Sequence, residues 1–403
     1  MTKTILITGL RAPVALHFCR LFAAAGWRVY GADSLCHPVG RFSGTVKRYF
    51  QLPSPRAEPE AFAKAIGSIV EETDPRLILP TCEEVFHLAR AAVQPDAANW
   101  AQRLYAPPLE DLIKLHDKAA FNALVARVAP DFAPRFHALD RLRDVTALGD
   151  GRWVFKPRFS RFATEVGIAP VRAGAVVPAG ALRLPITPEQ PWLAQAYLPG
   201  EEVCVSAVVS QGQVLALQAY KPLVRLRGGL GAGIAFAASG DEVTAQLRPL
   251  VDAVAGALGL TGQVSFDLRR DAEGQWKTLE CNPRATSGFV FFGPDDGLVE
   301  AVDEGRAVTI PLKRPEREVL GEALPSLLFG GWPGLALCLG LLRTKPGPYR
   351  RLQALSQWPG DGISAINQAR AFSELFRRAL AQRCSLEKAS TLDICWDGPA
   401  DRL

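Results

Sequence analysis

The chain has 403 residues, 48% of them apolar and 22% charged, a length beyond one ordinary domain and a balance that excludes a disordered chain. Its net charge of +5 is spread along the sequence without a long basic block or an interleaved aromatic stripe, which argues against nucleic acid as a partner and fits an anionic small molecule. Eight cysteines, at 19, 36, 82, 204, 281, 338, 384 and 395, form no C-x-x-C pair and read as reduced core thiols of a cytoplasmic protein, not as a disulfide or zinc framework.

The opening MTKTILITGL leads straight into a strand and shows no export signal. A strand over 4–10, a helix over 12–26 and a strand over 27–34 precede a helix over 59–72 and a buried strand over 76–81, the βαβ order of a parallel α/β domain. Gly9 ends the first strand and Asp33 the second, but TGLRAP lacks the second and third glycines of G-x-G-x-x-G. Arg11 and Pro13 stand where a backbone would approach a pyrophosphate, so no dinucleotide is expected there. The strand ends, Gly9 to Pro13, Asp33 and the turn TCEE at 81–84, are expected to face a substrate instead.

A helix follows over 115–128, then strands over 152–158, 192–198, 202–210 and 213–221, and a loop and strand in GLGAGIAFA. A helix over 245–259 leads into the segment that carries the chemistry, and the chain closes with a helix over 365–384 and a strand-like TLDICWD at 391–397. Residues 326–342 carry no charge but contain Pro333 and four glycines, and are followed by Arg343, Lys345, Arg350 and Arg351. They read as a buried helix or helix pair, with contact at a membrane surface as the alternative. Histidines 17, 37, 87, 116 and 137 show neither metal nor triad spacing and are expected to be structural or surface groups.

The segment GQVSFDLRRDAEGQWKTLECNPR, 262–284, reads as two strands around the polar turn DAEG at 271–274. Side chains two apart share a face, which groups Glu280 with Asn282. A turn centred on DAEG sets Ser265 opposite Glu280 and Asp267 opposite Thr278, which brings Asp267 to the same face. Two carboxylates and an amide oxygen suit Mg²⁺ or Mn²⁺, hard ions that complete their shells with water and nucleotide phosphate. A solvated acidic patch is the other reading. Against it, Asp267 lies between Phe266 and Leu268, and Glu280 between Leu279 and Cys281, so the polar face needs a partner.

The order of these motifs resembles the ATP-grasp superfamily over residues 1–300, in particular its carboxylate–amine ligases and its carbamoyl-phosphate-synthase and biotin-carboxylase types. The resemblance rests on Lys118 in HDKAAF, Lys156 in VFKPRFSRFATEVG, the hinge WLAQAYLPGEEV, and the thirteen-residue interval from Asp267 to Glu280 with Asn282 two beyond. It implies an ATP-grasp fold with mixed α/β and α+β architecture. A parallel α/β domain over 1–112 would be followed by a small lid over 113–192, a catalytic subdomain over 193–304, and a region of unassigned role over 305–403.

For the site, the resemblance implies that Lys118, Lys156 and Ser160 meet phosphate. Gln195, Ala196 and Leu198 would meet the adenine edge, and Glu202, seven residues past Gln195, the ribose hydroxyls. Asp267, Glu280 and Asn282 would hold the cation. Arg284 and Lys221, with Arg225 or Arg227, would neutralise the transferring phosphoryl. In the phosphate loop Ser160, Thr164 and Gly167 keep the small residues, while Arg158 and Arg161 replace glycine-rich stretches and read either as bidentate phosphate clamps or as surface residues. Ser265 replaces the arginine that D-alanine ligases carry two positions before the metal aspartate.

The implied activity is ATP-dependent: a carboxylate is activated as an acylphosphate for attack by an amine. Enzymes that form carboxyphosphate or carbamoyl phosphate, and a non-catalytic nucleotide-binding or membrane-associated module, are the alternatives. The implied partners are a small carboxylate and a small amine, with a homodimer left open, and the apolar segment 326–342 suggests a hydrophobic acyl group.

Overall fold

The computed structural model of the protein describes residues 2–160, 166–172, 186–225, 233–308, 318–321, 351–353, 361 and 363–398. The segment 326–342, Thr164, Arg161 and Arg227 lie outside them. Among the described residues, no helix is long and apolar enough to cross a membrane.

The first layer is a parallel sheet of β1 (Thr4–Thr8), β2 (Arg28–Asp33), β3 (Val46–Gln51) and β4 (Leu77–Leu79), in the order β3-β2-β1-β4. All five residues of β1 are buried, as an apolar run must be when helices cover both faces. Those helices are α1 (Pro13–Ala24), which starts with proline in its first turn, α2 (Pro59–Thr73) and α3 (Glu84–Ala92).

The helical stretch expected from 115 is two helices, α4 (Leu109–His116) and α5 (Lys118–Val128). Asp117 breaks it: its side chain caps α5 by accepting from the Ala119 and Ala120 amides, a contribution of about 1 kcal/mol. An antiparallel sheet follows, built from β5 (Phe136–Leu139), β6 (Gly151–Pro157), β7 (Gly167–Val171) and β8 (Trp192–Ala196), in the order β5-β8-β6-β7.

The largest sheet contains β9 (Glu202–Ser210), β10 (Gln213–Arg225), β11 (Gly233–Ala238), β12 (Gly262–Arg270), β13 (Trp276–Asn282), β14 (Glu318–Gly321) and β15 (Arg351–Gln353), in the order β13-β12-β9-β10-β11-β14-β15. One face packs on α5 and α6 (Asp241–Leu258), where Leu247, Val251 and Val254 meet Val205, Phe266 and Leu268. The other face meets the turn Ser287–Phe291, through which it reaches α1; Phe18 and Phe289 lie 5.4 Å apart there. Each such buried phenylalanine contributes about 2–3 kcal/mol.

A helix Ala365–Ala381, capped by Ser364, returns over the parallel sheet, and residues 391–394 form turns where a strand-like segment was expected. The reason is local: Ile394 N–H closes on Thr391 O at 3.0 Å, and Trp396 is buried against Phe86 instead of pairing with a strand.

Candidate active site

β12 and β13 form the hairpin, in a register different from the expected one. Ser265 pairs with Asn282, Asp267 with Glu280 and Leu268 with Thr278, so Leu279 is an extra, bulged residue. In a regular strand Thr278 and Glu280 would share a face; the bulge separates them. Thr278 turns to the helical side, where its hydroxyl donates to Asn122 Oδ1 at 3.2 Å. Glu280 and Asn282 turn to the opposite face with Asp267 and Ser265. The three expected oxygen donors are therefore brought together, while the expected pairs Ser265–Glu280 and Asp267–Thr278 are corrected.

β13 is the edge strand, and its outward carbonyls are taken by side chains of the facing antiparallel sheet. Gln195 Nε2 donates to Thr278 O at 2.6 Å and Lys156 Nζ to Leu279 O at 2.7 Å. Consecutive carbonyls of a regular strand point to opposite sides; the bulge lets the second sheet capture both. Gln195 Oε1 stays buried without a hydrogen-bond partner, an acceptor aimed into the joint between the sheets.

Lys118, the first residue of α5, sets its Nζ 3.3 Å from Glu280 Oε2 and donates to Ser160 O at 2.9 Å. Lys118, Lys156, Ser160, Gln195, Glu280, Asp267 and Asn282 thus gather where the two antiparallel sheets meet. Glu202 stands opposite Arg269 and forms an ion pair with Arg225, which two register shifts in β10 bring to it.

Four expectations need correction. Lys221 is exposed and lies one residue from Tyr220, hence on the Ala219 side of β10, away from Asp267. Arg225, not Lys221, faces the site. Arg158 does not stand free for phosphate: its Nε donates to Asp117 Oδ1 at 2.8 Å. The Ala196 N–H is engaged with Arg135 O at 2.9 Å, which leaves that residue only its carbonyl. Leu198 is buried beside the same hinge. Asp33 does not face a substrate, because Arg11 binds it at 2.5 Å and also binds Asp393 of the C-terminal segment at 2.8 Å. That segment covers the ends of β1 and β2.

The rest of the strand-end turn stays near the hairpin. Gly9, at φ 73°, lets Thr81 and Glu84 pack on its α-carbon, where a β-carbon would lie 2.7 Å from both side chains. Burial and Glu84 push the Cys82 thiol up, and the charge of Arg284 pulls it partly back, so Arg284 reaches the space between hairpin and turn. Arg284 Nη2 also donates to Asn282 Oδ1 at 3.3 Å. Glu84 Oε2 is buried with no hydrogen-bond partner.

The electrostatics describe a donor set with excess negative charge. Burial and the neighbouring Glu280 push Asp267 up to about 6. Burial alone would also raise Glu280, but Lys118 and Lys156 hold it below the usual carboxylate range. Burial lowers Lys156 to about 8, against the pull of Glu280. A divalent cation between the two carboxylates would relieve that repulsion, and an all-oxygen set suits Mg²⁺ or Mn²⁺. Asn282 Nδ2 now donates to Asp267 Oδ2 at 3.3 Å, so its amide must turn over to offer oxygen to such an ion.

A buried hydroxyl cluster lies under this face. Ser206 and Thr286 meet at 2.7 Å, Thr286 donates to Ser265 at 2.8 Å, and the Tyr220 hydroxyl donates to Thr286 at 2.9 Å. Its sequence signal was the alternation of Cys204 and Ser206 with valines in β9, which marks a polar face on a buried strand.

No known family model matches the sequence, and no curated protein does. Solved structures match in fold. The protein is similar to an L-amino acid ligase from Bacillus licheniformis, with 18% identity, 72% of this chain and 68% of that chain covered, and a TM-score of 0.51. It is similar to N5-carboxyaminoimidazole synthetase from Staphylococcus aureus, with 14% identity, 77% and 79% covered, and a TM-score of 0.56. A third is the biotin carboxylase domain of 2-oxoglutarate carboxylase from Hydrogenobacter thermophilus, crystallised with MgADP and bicarbonate, with 13% identity, 78% and 72% covered, and a TM-score of 0.55. The sheet order, the hairpin and these likenesses agree: the fold of this chain is the ATP-grasp fold.

Proposed function

We propose that the protein is an ATP-dependent ligase that activates a carboxylate as an acylphosphate for attack by an amine, releasing ADP and phosphate. The observation that carries this reading is the meeting of Asp267 and Glu280, directly opposite on the hairpin, with Lys118 and Lys156 from two other elements. ATP, the carboxylate and the moving phosphoryl are all anionic, so the cleft must supply positive charge in a water-poor setting. Lys118 and Lys156 would bind phosphate oxygens, with Ser160 closing the loop. Gln195, Ala196 and Leu198 would hold the adenine edge, and Glu202 would accept from the ribose, exchanging Arg225 for hydroxyl groups. Asp267, Glu280 and Asn282 would hold Mg²⁺ or Mn²⁺, which supplies charge neutralisation on the phosphates.

Arg284 would orient and neutralise the carboxylate under attack, since it stands between the hairpin and the TCEE turn. The amine attacks the acyl carbon, phosphate leaves with the bonding pair, and the ammonium proton goes to solvent or phosphate. The small antiparallel sheet with Lys156 is read as the lid over 113–192, the hairpin sheet as the catalytic subdomain over 193–304, and the parallel sheet as the domain over 1–112 that receives substrate.

The test is ADP release from a panel of carboxylates and amines. Asp267→Asn and Glu280→Gln should each lower it by a factor of about 100 or more while circular dichroism stays unchanged. Full turnover in either variant would refute the reading. ADP release driven by bicarbonate alone, without an amine, would identify the carboxyphosphate chemistry instead.

A further inference from the structure

Away from the hairpin, the structure joins two neighbouring side chains to a third of different donor type more than three hundred residues further along the chain. Cys36 and His37 follow β2, and Glu374 lies on the helix Ala365–Ala381. One ligand atom of each, Sγ, a ring nitrogen and a carboxylate oxygen, lies within 4.8 Å of the others. The geometry points to a site for a zinc-class divalent cation here, bound by Cys36, His37 and Glu374 with a water completing a tetrahedron.

The surroundings orient each donor. Glu374 is held by two backbone amides, Cys36 N–H to Oε1 at 2.8 Å and His37 N–H to Oε2 at 2.6 Å, which leaves each oxygen a further lone pair. Gln51 Nε2 donates to Cys36 Sγ at 3.0 Å, the outer contact that supports a thiolate ligand. The His37 ring stacks on Phe42 at 6.2 Å, and its Nδ1, 3.3 Å from Glu374 Oε2, is buried with no hydrogen-bond partner. A thiolate and an imidazole beside a carboxylate form a set that zinc takes, whereas magnesium prefers oxygen donors alone. Zinc bonds of about 2.0–2.3 Å would draw the donors closer by about 1 Å, within reach of side-chain rotation.

The consequence is a staple. The same helix carries Arg378, 3.0 Å from Asp393, the carboxylate that Arg11 binds over the strand ends. A cation on Glu374 would pin this helix, and the segment behind it, onto the parallel sheet. The site differs from the all-oxygen set on the hairpin in donor type and place, so it stands independently of the ligase reading.

The test uses the full-length protein stripped of metal by a chelator and titrated with Co²⁺. With excess Mg²⁺ present to fill the hairpin site, the wild type should take one Co²⁺ per chain with a thiolate-to-cobalt charge-transfer band, displaced by Zn²⁺ but not by that Mg²⁺, and Zn²⁺ should raise its thermal midpoint. Cys36→Ser should lose the band, and Glu374→Gln should weaken Zn²⁺ binding at least tenfold. If Cys36→Ser does not fold, Glu374→Gln and His37→Gln carry the comparison. A wild type that binds no stoichiometric Co²⁺ or Zn²⁺, or a band and affinity that persist in these variants, would overturn the proposal.

Discussion

Replacing Lys156 with methionine should make the protein more stable while removing its ADP release, because the ammonium is held where burial opposes its charge. Lys156 is only 6% exposed, and its pKa falls from 10.5 to about 8, with burial the largest cause and Glu280 pulling the other way. At about 1.4 kcal/mol per pKa unit, that drop corresponds to about 3 kcal/mol by which the native state disfavours the charge. Methionine fills similar space but leaves Leu279 O without its 2.7 Å donor, a loss of about 1–2 kcal/mol. The net gain is about 1–2 kcal/mol, which raises the thermal midpoint by a few degrees.

The pH dependence has a definite sign. Below about pH 8 the lysine is charged in both states and the penalty is complete. Between that pH and the unfolded value of 10.5 the unfolded chain binds more protons, so wild-type stability rises with pH and the advantage of Lys156→Met shrinks. Thermal unfolding of both proteins at pH 7 and pH 10 measures this. A variant less stable than wild type at pH 7, or a gap that does not change with pH, would refute the reasoning; retained ADP release would remove Lys156 from the phosphate site.

Arg11→Met should cost about 3–5 kcal/mol, since it leaves Asp33 and Asp393 in a buried site without their shared partner. Asp393→Asn should cost less, because Arg11 keeps Asp33; urea unfolding ranks the two. Burial alone would raise Asp393, but Arg11 holds it well below the usual carboxylate range, so its contribution is present above about pH 4 and lost as acid protonates it, visible as a steeper acid limb in wild type than in Asp393→Asn. Glu202→Ala should raise KM for ATP about tenfold with little change in kcat, read by steady-state kinetics; a fall in kcat alone would argue against a ribose contact. Gly288→Ala would place a β-carbon 2.4 Å from Ser206 Oγ and 2.8 Å from Tyr220, so thermal unfolding should show a loss of about 1–3 kcal/mol.

Local patterns made much of this molecule legible. β1, β2 and the long strands β9, β10, β12 and β13 stand where alternation and apolar runs predict them, because a strand or helix records its buried face in its own residues. The order of Lys118, Lys156, Gln195, Glu202 and the hairpin was likewise readable, since each motif is short and its spacing lies along one stretch of chain. β3, β5 and β7 lie at sheet edges and are mostly exposed or half-buried, so they carry no apolar run to mark them.

The sequence by itself determined the ATP-grasp order of elements and which side chains were available for cation and phosphate. Only the tertiary structure decided which way they point: one bulged residue, Leu279, sends Thr278 to the helices and Glu280 to the cleft, and the kinks in β10 choose Arg225 over Lys221. It also decided that Asp393 meets Arg11 and that Glu374 meets Cys36 and His37, contacts across more than three hundred residues. Such meetings follow from how whole layers pack, and no short window of sequence carries that information.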